Sequence, residues 1–534
     1  MAWHVLRHSL TTLIVLPGAL VAGLAMADPI RFIDVSATAG FQPGHLDSIP
    51  AGGIAVADFN RNGFPDIFVT GGVQHPNKLY FNQGDGTFST DPAINAQLAG
   101  ENCSVAAAAD FNNDGWPDIY VGCRWSDNKL FQNLGGSGFA DVTPAELNHY
   151  VPAPSGTRTD AVAWGDLTGN GYLDLYVGVF TGFTDTSNPD SLDRILLNHG
   201  NGMWSNAATS LNPETLIRPA LAVTISDLTG NGRPDIYVVN DKVAGNVLWR
   251  NDGPGCGGWC FTDISDPETT GLKVYGMGIA IADVNRNGYW DLFFSSIWNQ
   301  HLLRGTGRDP LTFEHDTDTE LDSNDVGWAT ILADFDNDGW EDAFLAVGPE
   351  NFAPATLADR VYRNLGDGTF EEVSVASGLH VQIPTQGAAL IDYNRNGHMD
   401  LVLHHWNRMP GYRLYRNVGQ HNNHWMAIEL VGGGPVNRDA VGSLVVIETP
   451  DGGIQRRQLR AGESRGANHQ FLLHFGLGDQ REAQVTVHWP DGQTSELGLL
   501  NGCQYHRIQH PEASPLPGWQ PPLLQDRFEH PCDQ

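Results

Sequence analysis

The sequence predicts an all-β protein, a seven-bladed β-propeller followed by a small C-terminal β-sandwich. A nine-residue acidic pattern recurs seven times with starts 51–61 residues apart. That spacing is about what four short strands and their turns occupy in one propeller blade. Beyond residue 420 the pattern stops, and alternating apolar residues with Gly-Gly and Asp-Gly turns replace it, as in a separate small sheet domain. The expected organisation is an export segment over 1–27, the propeller over 28–420, the second β domain over 421–508 and a proline-rich tail over 509–534.

Composition narrows the function classes. The 534 residues include 62 acidic and 30 basic side chains, a formal charge of −32, yet only 17% are charged and 41% are hydrophobic. Such a chain folds, and its charge repels nucleic acid and anionic membranes while favouring cations. At the N-terminus Arg7 is the only formal charge, Thr12 to Met26 is largely apolar and Ala25-Met26-Ala27 supplies a small-residue cleavage pattern, which predicts export with cleavage after Ala27. The alternative is an uncleaved anchor. No later segment is apolar and long enough to span a bilayer, so the mature chain is expected to be secreted or periplasmic. Six cysteines in an oxidising compartment are candidates for disulfides, with sequential pairing (Cys103–Cys123, Cys256–Cys260, Cys503–Cys532) the simplest connectivity.

Each repeat carries four strand-like segments. A small-residue strand such as SVAAAADF precedes the acidic loop, and a β-branched or aromatic strand such as DIYVGC follows it. The third strand ends in an Asn-rich turn, as in LYFNQGDGTF, and the fourth has the F-x-x-V-S form, as in FEEVS. Small side chains suit the strand nearest the propeller axis, where blades crowd. The seventh repeat lacks its fourth strand, whereas a matching segment, Arg31 to Ser36, is left over at the N-terminus. This predicts that the N-terminal strand closes the ring and leaves no long edge exposed.

The acidic loops place side-chain oxygens at positions 1, 3, 5 and 9, a glycine at 6 and a backbone carbonyl at 7, a donor set suited to a hard cation, calcium above all. The candidate ligands are Asp58, Asn60, Asn62, Phe64 and Asp66 in the first loop and Asp110, Asn112, Asp114, Trp116 and Asp118 in the second. They are Asp166, Thr168, Asn170, Tyr172 and Asp174 in the third, and Asp227, Thr229, Asn231, Arg233 and Asp235 in the fourth. The fifth offers Asp283, Asn285, Asn287, Tyr289 and Asp291, the sixth Asp334, Asp336, Asp338, Trp340 and Asp342. The seventh offers Asp392, Asn394, Asn396, His398 and Asp400. Up to seven ions are therefore expected. The sixth loop, with four aspartates, should bind most tightly, and the two threonine loops most weakly.

These loops resemble the FG-GAP (VCBS) repeats of integrin-α-type propellers, and residues 424–497 resemble the ASPIC/UnbV domain, notably in NRDAVGS, LHFGLG and VHWPDG. Propeller followed by ASPIC/UnbV is the layout of the cartilage acidic protein family and its bacterial secreted relatives. The resemblance implies calcium in the loops and no particular chemical activity. The chain departs from the family where GESRGANHQF stands before LHFGLG.

No catalytic motif stands out: G-x-S-x-G, H-E-x-x-H and a phosphate-binding loop are all missing from the sequence. The one suggestive cluster is His404, His405 and Trp406 with His421 and His424, although adjacent histidines on a strand face opposite ways. Trp116, Trp290 and Trp340 within the loops could stack on sugars or pack between blades. The expected function is a secreted calcium-binding module for an extracellular protein or glycan partner. A propeller enzyme acting on an extracellular polysaccharide, or an accessory factor of a biosynthetic pathway, is the alternative.

Overall fold

The computed structural model describes residues 30–514 apart from 43–51, 73–74, 101, 125, 148–157, 181–191, 212, 350–357, 407–410 and 421. The expected export segment, Cys532 and nearly all of the proline-rich tail lie outside the described residues, as does His421.

Seven sheets are built on one antiparallel plan. In the second repeat, Cys103–Ala109, Asp118–Cys123, Lys129–Asn133 and Phe139–Asp141 pair in chain order. The first strands of neighbouring sheets touch one another in sequence, and the last of them, Thr385–Ile391, touches the first, Ile54–Ala57. Strands arranged radially around a closed inner ring define a β-propeller. Alanines dominate where the inner strands meet, as at Ala106, Ala107 and Ala108, all fully buried. Gly387 shows the same crowding, since a Cβ there would lie 2.6 Å from the Gly52 carbonyl oxygen.

Phe32–Asp34 is the outer strand of the last sheet, with Phe32 opposite Asn417 and Asp34 opposite Tyr415. One buried side chain explains this strand's hold. Phe32 is buried and meets Phe335 edge to face at 5.3 Å, whereas Ile33 points outward. Disulfides join Cys103 to Cys123 and Cys256 to Cys260.

The second β domain contains a three-stranded sheet (Leu473–Gly478, His424–Val431, Gln504–Gln509) and a four-stranded one (Ile454–Gln458, Leu444–Glu448, Glu482–His488, Thr494–Asn501). Their shared core includes Met426, Ile428, Val445, Ile447, Phe475 and Val485. This domain sits on the face of the propeller that carries the acidic loops. One of its loops, residues 459–470, enters the centre of the ring. There Ala467–Asn468 pairs in parallel with Ile54–Ala57, and further bridges join Ala461 to Trp164 and Ser464 to Ile279. The inner strand of every blade is a sheet edge whose unpaired groups need partners. The inserted loop supplies them: Gly466 accepts from Ala106 N at 3.2 Å, Ala461 from Trp164 N at 2.6 Å and the Asn468 side chain from Ala108 N at 2.9 Å. Where GESRGANHQF departs from the family pattern, the chain is filling the propeller axis.

Ring closure through the N-terminal strand can be checked by substitution. Phe32→Ala should destabilise the protein by about 3–5 kcal/mol, the cost of truncating a buried aromatic. Ile33→Ala should cost less than about 1 kcal/mol. Equal effects of the two in thermal denaturation would contradict a load carried by the buried face.

Candidate functional site

The seven acidic loops share one backbone geometry. Position 4 adopts the left-handed region in every copy, at Arg61, Asn113, Gly169, Gly230, Arg286, Asn337 and Arg395, and the glycine at position 6 does so as well. The sequence pattern pointed to the second requirement and not to the first, because position 4 varies in residue type. The position-1 aspartate accepts from the position-6 amide in all seven loops, from Gly63 N at 2.8 Å in the first and Gly397 N at 2.7 Å in the last. The position-5 side chain accepts from the position-7 amide, as in Phe64 N to Asn62 Oδ1 at 2.9 Å. These bonds turn the odd-numbered oxygens inward.

The position-9 aspartates, Asp66, Asp118, Asp174, Asp235, Asp291, Asp342 and Asp400, are fully buried. Each accepts from the backbone at the end of the third strand, in six blades an asparagine: Asn82, Asn133, Asn198, Asn251, Asn364 and Asn417. Gly305 takes that place in the fifth blade. The same asparagines donate through Nδ2 to the position-2 carbonyl of the preceding blade's loop, for example Asn133 to Phe59 at 2.9 Å and Asn82 to Tyr393 at 2.8 Å. The Asn-rich turn was legible in the sequence as a turn. Its role as a tether between blades was not.

Oxygens remain that the protein does not satisfy. Asp118 Oδ2, Thr168 Oγ1, Thr229 Oγ1, Asp283 Oδ1, Asp334 Oδ1 and Asp400 Oδ2 are buried with no hydrogen-bond partner. Each belongs to a different loop and to a candidate ligand position. Unpartnered buried oxygens are unfavourable unless an unseen group meets them, and carboxylate and hydroxyl oxygens in this arrangement fit a hard cation. Burial is the main cause that lifts these acids above the ordinary carboxylate range, with Asp58, Asp166 and Asp235 pushed up to about 6 and Asp291 to about 7. Asp334 lies well above that range, through burial and then the neighbouring Asp338 and Asp336. Oxygens of Asp334, Asp336 and Asp338 lie within 4.8 Å of one another.

The loops are unequal in what else touches them. Arg363 pairs with Asp336 at 2.8 Å and Asp338 at 3.5 Å, Arg456 pairs with Asp283 at 3.2 Å, and the Tyr505 hydroxyl donates to Asp392. Asp439, from the NRDAVGS segment, accepts from Asp110 N at 2.6 Å and brings a further, half-buried carboxylate to the second loop. Sequence reasoning missed it because only docking of the second domain puts it there. That domain contacts the loops widely. Arg438 N donates to Asn113 Oδ1 at 2.8 Å, Arg456 to the Gly288 carbonyl at 2.6 Å, and Gly478 N to the Asn337 carbonyl at 2.9 Å.

The loop tryptophans take packing roles. Trp290 is buried, Arg61 lies over Trp116 at 4.5 Å, and Arg286 lies over Trp340 at 3.8 Å, so position 4 of one loop stacks on position 7 of the next. Among the described residues, His404, His405 and His424 do not assemble into one site. His405 hydrogen-bonds Thr385 at 3.0 Å and Tyr415 at 3.3 Å, His404 packs on Tyr412 with rings 4.8 Å apart, and His424 meets the Gly478 carbonyl at 3.2 Å.

A propeller of repeated acidic loops, capped by a second β domain, defines a class. Residues 58–121, 110–177, 227–294 and 334–403 match the FG-GAP-like repeat and residues 433–515 match the ASPIC and UnbV family, so the chain is an FG-GAP-repeat protein with a C-terminal ASPIC and UnbV domain. It is similar to cartilage acidic protein 1 of Mus musculus, with 25% identity over 89% of this chain and 76% of that protein. Against the human and frog proteins of that name it spans 62% and 63% of their length. Integrin alpha-3 of Mus musculus is 28% identical over 27% of this chain and 14% of its own. A lectin of Agrocybe aegerita that recognises terminal N-acetylglucosamine aligns at a TM-score of 0.40 with 21% identity, covering 61% of this chain and 81% of that one, too slight a likeness to build on. Among the described residues no helix is long and apolar enough to cross a membrane.

The raised carboxylate pKa values set a pH dependence for ion-free protein. A folded pKa of about 6 or 7 against an ordinary 3.8 means the folded state holds protons that the unfolded state releases. The associated stability is therefore present below about pH 3.8 and lost as pH rises through 6 to 7. In excess chelator the melting temperature should rise by several degrees between pH 7.5 and 5.5. A flat or falling profile would show that burial does not hold these loop carboxylates above the ordinary range.

Proposed function

We propose that this chain is an exported, calcium-stabilised binding module for an extracellular protein or glycan. The observation that carries the reading is the set of buried, unpartnered carboxylate and threonine oxygens in six of the loops. Calcium would be held by the side chains at positions 1, 3, 5 and 9 with the position-7 carbonyl, and it would neutralise carboxylates that otherwise repel. Export is supported by the disulfides, which persist in oxidising compartments. Binding is supported by the repeat that the chain shares with integrin alpha-3. Because the second domain covers much of the loop face, the partner would meet the opposite face or the blade edges.

Calcium should act on stability. Elemental analysis of the purified protein should find several calcium ions, and chelation at pH 7.5 should lower the melting temperature, since a ligand bound only by the folded state stabilises it by mass action. Asp336→Ala with Asp338→Ala should remove one ion, and Thr168→Ala should remove none at saturating calcium. Equal losses would overturn a ranking by ligand charge, and a calcium-free protein with a chelator-insensitive melt would overturn the metal itself.

The binding role is tested by presenting the mature chain to arrayed glycans and extracellular proteins with and without calcium. Retention of a defined partner that depends on calcium supports the role. Turnover of a polysaccharide in the same assay would replace it with catalysis.

A further inference from the structure

The tip of the inserted loop places a charge at the propeller axis for which the described residues supply no hydrogen-bond partner. Arg465 is fully buried, and none of its three guanidinium nitrogens has a hydrogen-bond partner. It cannot withdraw by a shift of the loop, because its neighbours are fixed across the ring. Ser464 N donates to the Ile279 carbonyl at 2.7 Å, Ile279 N to the Ser464 carbonyl at 3.1 Å, and Ala106 N to the Gly466 carbonyl at 3.2 Å. Burial lowers its pKa only to about 10, so the side chain is cationic at neutral pH.

The ring offers partial compensation. The guanidinium carbon lies 4.7 Å from the Trp328 ring centroid, a cation–π contact that recovers only part of the cost of removing the charge from water. Among the charged groups that act on it, Asp160 Oδ1 accepts from Arg124 Nε at 2.8 Å and Nη2 at 2.6 Å, which leaves that pair without net charge. The charge of Asp241 acts on it more weakly.

Other unmet polar groups stand on the strands around it. Arg465 Nη1 is 3.4 Å from where a Gly52 Cβ would lie, and that position is 3.2 Å from Gly387 Cα. Gly387 follows Gln386 and pairs with His404 in the sheet. Both polar atoms of Gln386, both ring nitrogens of His404 and the indole nitrogen of Trp328 are buried without partners. Each of these three side chains can offer an N–H. Water could meet the hydrogen bonds but would leave the charge uncompensated.

We propose that the propeller axis holds a small monoanion, a carboxylate or a halide, bound by the Arg465 guanidinium with Gln386, His404 and Trp328 as further donors. Charge-assisted bonds of this kind are among the stronger ones available in a protein interior. The site is separate from the acidic loops and takes a ligand of opposite sign.

The full mature chain, held in calcium and exchanged into a bulky sulfonate buffer, should melt at higher temperature as acetate or bromide is added at constant ionic strength, and the rise should saturate. The two arms distinguish a carboxylate ligand from a halide. Arg465→Met should abolish the response, and Gln386→Leu should weaken the apparent affinity about tenfold. A response that is absent, non-saturating or unchanged in Arg465→Met would overturn the proposal. Should Arg465→Met fail to fold, crystals of the unaltered protein soaked in bromide decide the matter. An anomalous peak within hydrogen-bonding distance of the guanidinium supports the site, and none there refutes it.

Discussion

The propeller is organised around a buried carboxylate that each blade contributes from the ninth position of its acidic loop. One oxygen holds the end of the third strand of the same blade, at 2.7 Å in Asn133 N to Asp118. In most blades the other oxygen holds the start of the loop, as Asp66 does with Phe59 N at 2.9 Å. The asparagine thus fixed reaches to the loop of the blade before it. A single side chain therefore sets the loop, the strand that follows and the tilt between neighbouring blades. Aspartate buried this deeply is unfavourable unless its charge is met, and backbone amides at both ends of the loop meet part of it.

Concentrating acids on one face has a second consequence, which is that the face must be covered by complementary charge. The second domain brings Arg456 to Asp283 and Arg457 to Glu341, and Arg395 of the last propeller loop answers Glu429 of that domain at 2.7 Å. The domain is thereby fixed to the propeller by polar contacts around the rim and by an inserted loop at the centre. A ring whose inner edges are paired by an inserted segment is stiffened from within, because several blades are tied to the insert as well as to their neighbours.

Seven repeats, their strand order and the closing role of Phe32 to Ser36 were all legible in the sequence, because each rests on local pattern: a period, an alternation, a missing segment. The loop residues that come together were legible for the same reason, since a nine-residue turn is defined by its own chain. What escaped was everything that depends on two distant segments meeting. Asp439 beside Asp110, Arg61 over Trp116 and the asparagine tethers all join residues of different blades or domains. The segment GESRGANHQF was visible only as a departure from a family pattern. Spacing along the chain determined the repeat, the acidic turns and the order of strands, because these are set by short-range geometry. Tertiary structure alone decided that the loop face is covered, that the axis is filled and that Arg465 lies buried without a partner, because burial is a property of which surfaces meet and no local sequence encodes it.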